Sequence, residues 1–291
     1  MVSTIDRIAP TGDDNRSPRR SGGGGREADG RRPNPAEHRR SDREFMGTLA
    51  KGLAVLGAFG EQHPSLTLSE AAAATGLSRA AARRVLLTLA ELGYVSQAGR
   101  DFSLAPRILE LGFAFLSTQS WIDRAEPLMK ELSHLLRESC SAAILQGDEI
   151  VYVARMPAPH RIMSTTIAVG SRLPAFHTSL GRVQLGFLGE DELRRRLADR
   201  KITAYTATTI TDPATLVARI MADHRQGYSI VDEELERGLR SIAVPIVSRS
   251  SRNVGAINLS ALSGRTTQRE IRERFLPELR AVAAEISATL A

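Results

Sequence analysis

Between Ser78 and Arg84 this 291-residue chain places one serine and three arginines, Arg79, Arg83 and Arg84. A guanidinium is permanently charged and offers its donors in a planar fork, so it can grip a phosphate or the O6 and N7 atoms of a guanine. Such a group reads a base only when a rigid element carries it into a groove. The question is what holds these arginines.

The stretch from Thr67 to Leu92 reads as two short helices joined by a glycine turn. Thr67 caps the first with its hydroxyl, and Glu70 completes a capping box. Thr75-Gly76-Leu77 ends it, because glycine takes the left-handed conformation without a Cβ penalty. Ser78 supplies a second N-cap, after which Ala81, Val85, Leu89 and Leu92 give the second helix one apolar face. This is the helix-turn-helix plan, whose second helix meets bases in the major groove through its N-terminal residues, here Arg79, Ala82 and Arg83. An αα-hairpin with solvated arginines has the same local pattern, so the flanking elements matter.

Gly93–Ser96 and Phe102–Leu104, around the turn at residues 97–101, read as a β-hairpin, a wing with Arg100 at its tip placed for phosphate. Upstream, Leu49, Leu53, Leu56 and Phe59 mark a helix face expected to pack under the motif, and His63-Pro64 ends that segment. The DNA contact set expected from these elements is Thr67, Ser78, Arg79, Ala82, Arg83, Arg84 and Arg100. Bulk charge adds little to the case. The net +6 is spread as +2 over residues 1–44, +1 over 45–118 and +3 over the remainder, so placement of arginines carries the argument.

Downstream of residue 120 no catalytic constellation is found. Ser179-Leu180-Gly181 lacks the flanking glycines of a nucleophile elbow, and the histidines at 134, 160, 177 and 224 have no metal-ligand spacing. The single cysteine, Cys140, excludes an intrachain disulfide and a cysteine-rich zinc site. Neither a metal nor a cofactor is implied, and the chain does not read as an enzyme. The run Asp232, Glu233, Glu234 and Glu236 has the composition of a solvated face. Small polar residues do interrupt apolar runs: Ser164, Thr165 and Thr166, then Thr178 and Ser179, then Ser241, Asn258 and Ser260. That pattern suits a pocket with apolar walls and a few orienting groups. Arg155, Arg161, Arg172, Arg182 and Arg240 are candidate partners for a ligand carboxylate.

The elements that would position these groups follow in order. Residues 1–44, with Ser21-Gly22-Gly23-Gly24-Gly25 and interleaved Arg and Asp, are expected to be a disordered tail. A winged helix-turn-helix domain covers 45–104, a linker helix with an apolar stripe at Ile108, Leu111, Gly112 and Phe115 covers 105–120, and a second domain covers 121–291. In that domain Trp121 to Glu138 keeps helical spacing. Strands are expected over Ser141–Gln146, Ile150–Arg155, Ile162–Val169, Tyr228–Val231, Leu239–Val247 and Val254–Ala261. Helices are expected over Ser179–Leu188, Asp191–Leu197, Pro213–Gln226 and Gln268–Leu290. Strands joined by hairpins and bracketed by helices define an α+β fold on a mainly antiparallel sheet. Without an eighteen-residue apolar run or an apolar leader, the expected location is the cytoplasm, with no membrane partner.

The phrases LTLSEAAAATGLSRAAARRVLLTLAELGYV, FSLAPRILELGFAFLS, EIVYVARMP, VGSRLPAFHTSLGRVQL and VDEELERGLRSIAVPI make residues 45–290 resemble the IclR family of bacterial transcriptional regulators, in its branch controlling aromatic-acid catabolism through the β-ketoadipate pathway. The resemblance implies a winged helix domain, a GAF-like effector domain, and a homodimer or dimer of dimers on a palindromic double-stranded operator, answering to a small carboxylic acid of aromatic type. By position it implies an effector pocket of Leu173, Thr178, Ser179, Leu180, Gly181, Glu233, Glu234, Ser241, Asn258 and Ser260. Phe176-His177 departs from the branch, where a tyrosine and a smaller residue are typical, and Leu180 stands where a methionine is common. His177 then has two readings, a donor to a phenol or carboxylate, or a structural residue. A different class, a small-molecule enzyme using the helix-turn-helix only for dimerisation, is the alternative. A nucleoid-type architectural protein is a third.

Overall fold

The computed structural model describes residues 45–159, 167–198 and 200–290. The expected tail over residues 1–44 lies outside these, as do Arg161, Ser164, Thr165, Thr166 and most of the strand expected over Ile162–Val169, whose residues 167–169 are not in a strand. The chain divides into two compact units, one ending at Leu104 and the other beginning at Ala105.

The first unit contains α1 (Gly47–Gly57), β1 (Ser65–Thr67), α2 (Leu68–Thr75), α3 (Arg79–Glu91), β2 (Val95–Ala98) and β3 (Asp101–Leu104). The capping signals act as the sequence predicts. Glu70 N donates to Thr67 Oγ1 at 3.3 Å, Thr67 N donates to Glu70 Oε2 at 2.8 Å, and Ala81 N donates to Ser78 Oγ at 3.3 Å. Gly76 closes α2 at φ 67°. The wing forms an antiparallel pair with Gln97 opposite Phe102, and β1, unforeseen because three residues show no periodicity, adds to its other edge with Leu66 opposite Phe102.

Two apolar faces differ from expectation. In α3 the buried positions are Ala82, Leu86 and Leu89, while Ala81 and Val85 are half-buried and Leu92 is exposed. In α1 Val55 and Phe59 enter the core, and Leu49 and Leu53 lie 58% and 59% exposed. The reason is helical geometry: Val55 stands two residues from Leu53, about 200° around the axis, so burying one turns the other outward. Val55, Phe59, Leu66, Ala71, Leu86, Leu89, Val95 and Phe102 make the core that fixes α3.

The second unit begins with α4 (Ile108–Ser117), which buries none of its residues in this chain, and α5 (Ser120–Leu136). The strands are β4 (Ser139–Gln146), β5 (Glu149–Met156), β6 (Arg172–Pro174), β7 (Ser229–Asp232), β8 (Leu239–Val247) and β9 (Asn253–Leu262). They form one sheet in the order β6-β5-β4-β9-β8-β7, with every neighbour antiparallel. Between β6 and β7 come a 3-10 turn at Ala175–His177, α6 (Ser179–Leu185), α7 (Glu190–Leu197) and α8 (Pro213–Gln226), the last capped by Asp212 and stopped by Gly227 at φ 76°. The C-terminal helix opens at Gln268, passes through a π-helical segment at Ile271–Phe275, and continues as α9 (Leu276–Ala288).

Alternation along the strands gives the sheet two covered faces. Ile242, Val244, Ile246, Ile257 and Leu259 pack with Trp121, Met129, Phe275 and Leu279 of α5 and the C-terminal helix. Ala143, Tyr152, Ala243 and Ala256 pack with Leu180, Val183, Leu193, Leu216 and Ile220 of α6, α7 and α8. Small side chains on the second face let α6 lie close to the strands.

Candidate nucleic-acid interface and ligand site

The outward side of α3 carries Arg79, Ala80, Arg83, Arg84, Leu87 and Thr88, all exposed. Ser78 caps the helix with its oxygen, which leaves its hydroxyl proton available for a phosphate. Arg100 is exposed at the wing's tip, where Gly99 turns at φ 62° and Gln97 Nε2 donates to Gly99 O at 3.0 Å. Ala82 requires a correction: it is fully buried and faces the core, so it cannot meet a base. Ala80, two residues earlier, is exposed on the outward side. The Thr67 hydroxyl donates to Glu70 Oε2 at 2.8 Å while accepting from Glu70 N, so its side chain is spent on starting α2.

In the second unit the polar residues expected to bind a ligand fall on the α6 face of the sheet. Ser241 stands opposite Ser260, Asn258 lies between Ala243 and Ser141, and Ser139 stands opposite Ser260. Residues directly opposite share a face, so Ser141, Ser139, Asn258, Ser260 and Ser241 form one seam among the alanines. Ser179, at the start of α6, closes it from above by donating to Ser241 Oγ at 2.9 Å, and Asn258 Nδ2 donates to Ser260 Oγ at 3.2 Å. Thr178 caps α6 by accepting from Gly181 N at 3.1 Å. At Gly181 a Cβ would stand 2.1 Å from the Ala175 carbonyl oxygen, so only glycine permits this approach. Leu180 is fully buried over the same face, and Leu173 borders it from β6, opposite Ile150.

The two glutamates behave differently from a solvated acidic run. Glu234 is buried, and Arg182, itself 0% exposed, holds it bidentately: Nη1 donates to Oε1 at 2.7 Å and Nη2 to Oε2 at 2.6 Å. Arg182 Nε donates to Phe176 O at 2.8 Å, and Ile210 N donates to Glu234 Oε2 at 3.2 Å. Sequence reasoning read Glu234 as solvated because its neighbours are acidic, whereas the compensating charge comes from α6, far away in the chain. Glu233 turns aside at φ 57°, and its carboxylate accepts from Ser263 Oγ at 2.6 Å. Thr206 and Thr208 donate to the Glu233 carbonyl at 2.7 and 2.9 Å. This threonine strap over residues 206–209 had no sequence signal, because single hydroxyl–carbonyl bonds leave no pattern.

His177 is buried beside this pair and meets Tyr205 edge-on, with ring centroids 5.4 Å apart. Burial, and then the Arg182 charge, pull its pKa down to about 4 against a smaller opposing effect of Glu234, so the imidazole is neutral near pH 7. Its Nδ1 has no hydrogen-bond partner, and neither has Asn258 Oδ1. Of the five arginines proposed for a carboxylate, Arg182 is committed to Glu234, Arg240 to Asp232 (2.8 Å), and Arg172 to Glu149 (2.8 Å) and Gln146. Arg155 stands opposite Ser141, on the seam's own face. A separate cleft of about 320 Å³ at the other end of α6, lined by Ile144, Phe187, Leu188 and Val254 among others, contains none of the expected ligand residues. Cys140 is buried on β4, and burial raises its thiol pKa, which makes it unreactive. Among the described residues no cluster of His, Cys, Asp or Glu could hold a metal, and no helix is long and apolar enough to cross a membrane.

A capped helix-turn-helix with a wing, in a chain whose second unit buries a polar seam under a short helix, defines a DNA-binding regulator with a small-molecule domain. Residues 48–99 match the IclR helix-turn-helix domain and residues 113–288 the bacterial transcriptional regulator IclR C-terminal domain. The chain belongs to the IclR family: it is a sequence-specific DNA-binding transcriptional regulator and not an enzyme. It is 42% identical over 245 residues to the Pca regulon regulatory protein of Pseudomonas putida, covering 84% of each chain. A transcriptional regulator of Rhodococcus sp. RHA1 has a similar structure, with TM-score 0.75 and 45% identity over 84% of this chain and 98% of that one. The chain is also similar to a double mutant of the PobR inducer-binding domain from Acinetobacter in complex with 3-hydroxybenzoic acid, with TM-score 0.54 and 28% identity over 57% of this chain and 96% of that one.

Proposed function

We propose that a small aromatic carboxylic acid binds beneath α6, between the Ser241–Ser260–Asn258 seam and the segment Leu173 to Gly181, and thereby changes how the first unit holds its operator. The observation that carries this reading is the seam itself: hydroxyls and an amide on neighbouring strands, buried under a helix that a serine ties down, in a site with no catalytic set. The PobR inducer-binding domain in complex with 3-hydroxybenzoic acid adds weight to it. Ser241 and Ser260, directly opposite each other on neighbouring strands, orient the acid. Glu233 and Glu234 act indirectly, by fixing α6 and the threonine strap.

On the DNA side, Arg79, Arg83 and Arg84 carry the contacts from α3, Ser78 and Arg100 meet phosphates, and Thr67 sets the start of the supporting helix. The protein acts in the cytoplasm, as a dimer or dimer of dimers on a palindromic operator. The acid must favour one conformation over the other, since equal affinity for both would shift nothing. Thermal unfolding against a panel of aromatic acids, followed by gel-shift titration of the promoter beside its own gene with the stabilising acid, tests the reading. An acid that raises Tm and alters the operator Kd is expected. Absence of any stabilising acid would overturn the effector reading, and absence of promoter binding would overturn the DNA assignment.

A further inference from the structure

The central pair of strands in the second unit comes apart at one end. β4 and β9 are paired from Ser139 opposite Ser260 to Ala143 opposite Ala256, and no further. Yet β4 runs on to Gln146, still paired with β5, and β9 begins at Asn253, still paired with β8. A bulge between Ala142 and Ala143 and a register shift between Ile246 and Val247 turn the two halves of the sheet apart at this level, since a bulge bends its strand and adds twist. Trp121 packs on Gly255 at the closed end of the fork, where a Cβ would stand 2.7 Å from its ring.

Parted strands would leave backbone donors without acceptors. Here Gln184, buried on α6, takes the place of the missing strand: its Oε1 accepts from Leu145 N at 3.0 Å, and its Nε2 donates to Leu180 O at 2.8 Å. The fork is therefore held open, and it forms the cleft of about 320 Å³. Walls come from both faces of the sheet, Ile144 and Val254 from the α5 side and Leu145 and Leu188 from the α6 side, with Phe187 partly exposed at the edge. None of the seam residues lines it.

Charge at the rim is one-sided. Arg252 lines the cleft, is exposed, and has no side-chain partner among the described residues. No Asp or Glu lines the cleft, and Asp148 and Glu149, at the tip of the β4–β5 hairpin, are held by Arg196, Arg200 and Arg172. Asn253 is spent on its own turn, with Nδ2 donating to Gly255 O at 2.9 Å. An apolar slot with one unneutralised guanidinium at its rim fits an anion with an apolar body, which the planar fork can grip through a carboxylate. Strands that separate from the ordinary spacing of about 4.8 Å leave a tapering slot, which a flexible chain fills along its length and a rigid ring does not. Such a volume holds about ten groups of water size, at about 30 Å³ each, which matches an acid of about eight carbons.

We propose that this cleft is a second ligand site, separate from the seam, for a medium-chain aliphatic carboxylate: the chain lies between the parted ends of β4 and β9, and the carboxylate pairs with Arg252. It stands whether or not the seam binds an acid. Because α6 contributes Gln184 to the cleft and Ser179 to the seam, one helix borders both.

The test is isothermal titration of the full chain with octanoate, butanoate and 1-octanol, repeated on Arg252→Gln and Arg252→Lys, with a diazirine-bearing octanoate analogue to locate the site. Arg252 is exposed in a turn, so both variants should fold. Octanoate is expected to bind saturably, and butanoate at least about tenfold more weakly for want of apolar contact. Arg252→Gln should weaken octanoate about fivefold, the scale of one ion pair at a solvent-facing rim, and leave octanol unchanged. Arg252→Lys, which keeps the charge, should stay within about twofold of the wild type. Cross-linked peptides should cover residues 144–145, 184–188 or 251–254. Failure of octanoate to bind would overturn the proposal, as would an Arg252→Gln protein that loses nothing or loses octanoate and octanol equally. Labelling confined to other residues would overturn it too, and labelling at Ser241, Asn258 and Ser260 would place the acid in the seam and refute a separate site.

Discussion

The Arg182 guanidinium, wholly buried in α6, holds both carboxylate oxygens of Glu234, with its Nη1 at 2.7 Å and its Nη2 at 2.6 Å. This pair joins α6, the helix that covers the polar seam, to the turn between β7 and β8. A buried ion pair is weak evidence for net stability, because desolvation opposes the attraction, but breaking one side strands a charge. Glu234→Ala is therefore expected to cost about 3–5 kcal/mol. Replacing both partners together, as Arg182→Met with Glu234→Leu, should cost far less than the sum of the single changes. Urea unfolding of the two single variants and the double variant checks this, and additive losses would show that the pair is not coupled.

His177 makes stability depend on pH in a stated direction. Its folded pKa, about 4, lies below the ordinary value of 6.5, so in that interval the unfolded chain binds a proton that the folded chain does not. Stability contributed by the neutral ring is fully present above about pH 6.5 and is lost as pH falls towards 4. The whole effect is of the order of 3 kcal/mol, from about 1.4 kcal/mol per pKa unit. Carboxylates titrate in part of the same range, so the measurement is a difference: urea midpoints of the wild type and His177→Asn at pH 7 and pH 5. The wild type should lose more on acidification, and equal losses would mean that His177 is not buried neutral.

Much of this architecture is legible in residue order, and its failures have physical causes. Caps and glycines act within four residues, so Thr67, Glu70, Gly76 and Ser78 announce their helices locally, and the strands Leu239–Val247 and Val254–Ala261 announce themselves by composition. Which side of α1 faces inward is not local. Leu49 and Leu53 look as core-like as Val55 until the partner helices are in place, and residue order alone does not tell that Ala82 faces the core and not DNA. The seam was half visible: Asn258 and Ser260 share a face by period two, but their meeting with Ser241, Ser141 and Arg155 depends on strand register across the sheet. Nothing near Glu234 in the chain announces Arg182.

Gly181 offers a steric test of how α6 is seated. A methyl group there would meet the Ala175 backbone, 2.1 Å from its oxygen, and backbone cannot yield as a flexible side chain can. Gly181→Ala should force α6 away from the sheet, lengthen the Ser179–Ser241 hydrogen bond, and destabilise the protein by at least about 1–3 kcal/mol, as overpacking does. Acid binding should fall with it, while the first unit, a separate compact body with its own core, keeps its helical content. Differential scanning calorimetry and titration calorimetry together read both effects. Wild-type acid affinity in Gly181→Ala would show that the seating of α6 does not matter to the site.

The DNA contacts separate by chemistry. Arg83, exposed on the outward side of α3, should lose about 1–3 kcal/mol of operator affinity on substitution by alanine, with relaxed preference at one base pair, if its fork pairs with a guanine. Arg100, on the wing, should behave as a phosphate ligand: Arg100→Ala weakens operator and unrelated DNA alike and lowers the slope of log K against log salt by about one. Ala82→Leu gives the contrast. Its side chain points into the core with Leu86 and Leu89, so the larger residue should lower the melting temperature of the first unit through overpacking, about 1–3 kcal/mol, and change affinity only through folding. Fluorescence anisotropy against operator and scrambled duplexes at several salt concentrations, with a parallel melt, distinguishes the three. A folded Ala82→Leu protein with altered base preference would return Ala82 to the reading face and displace the register of α3 argued from its burial.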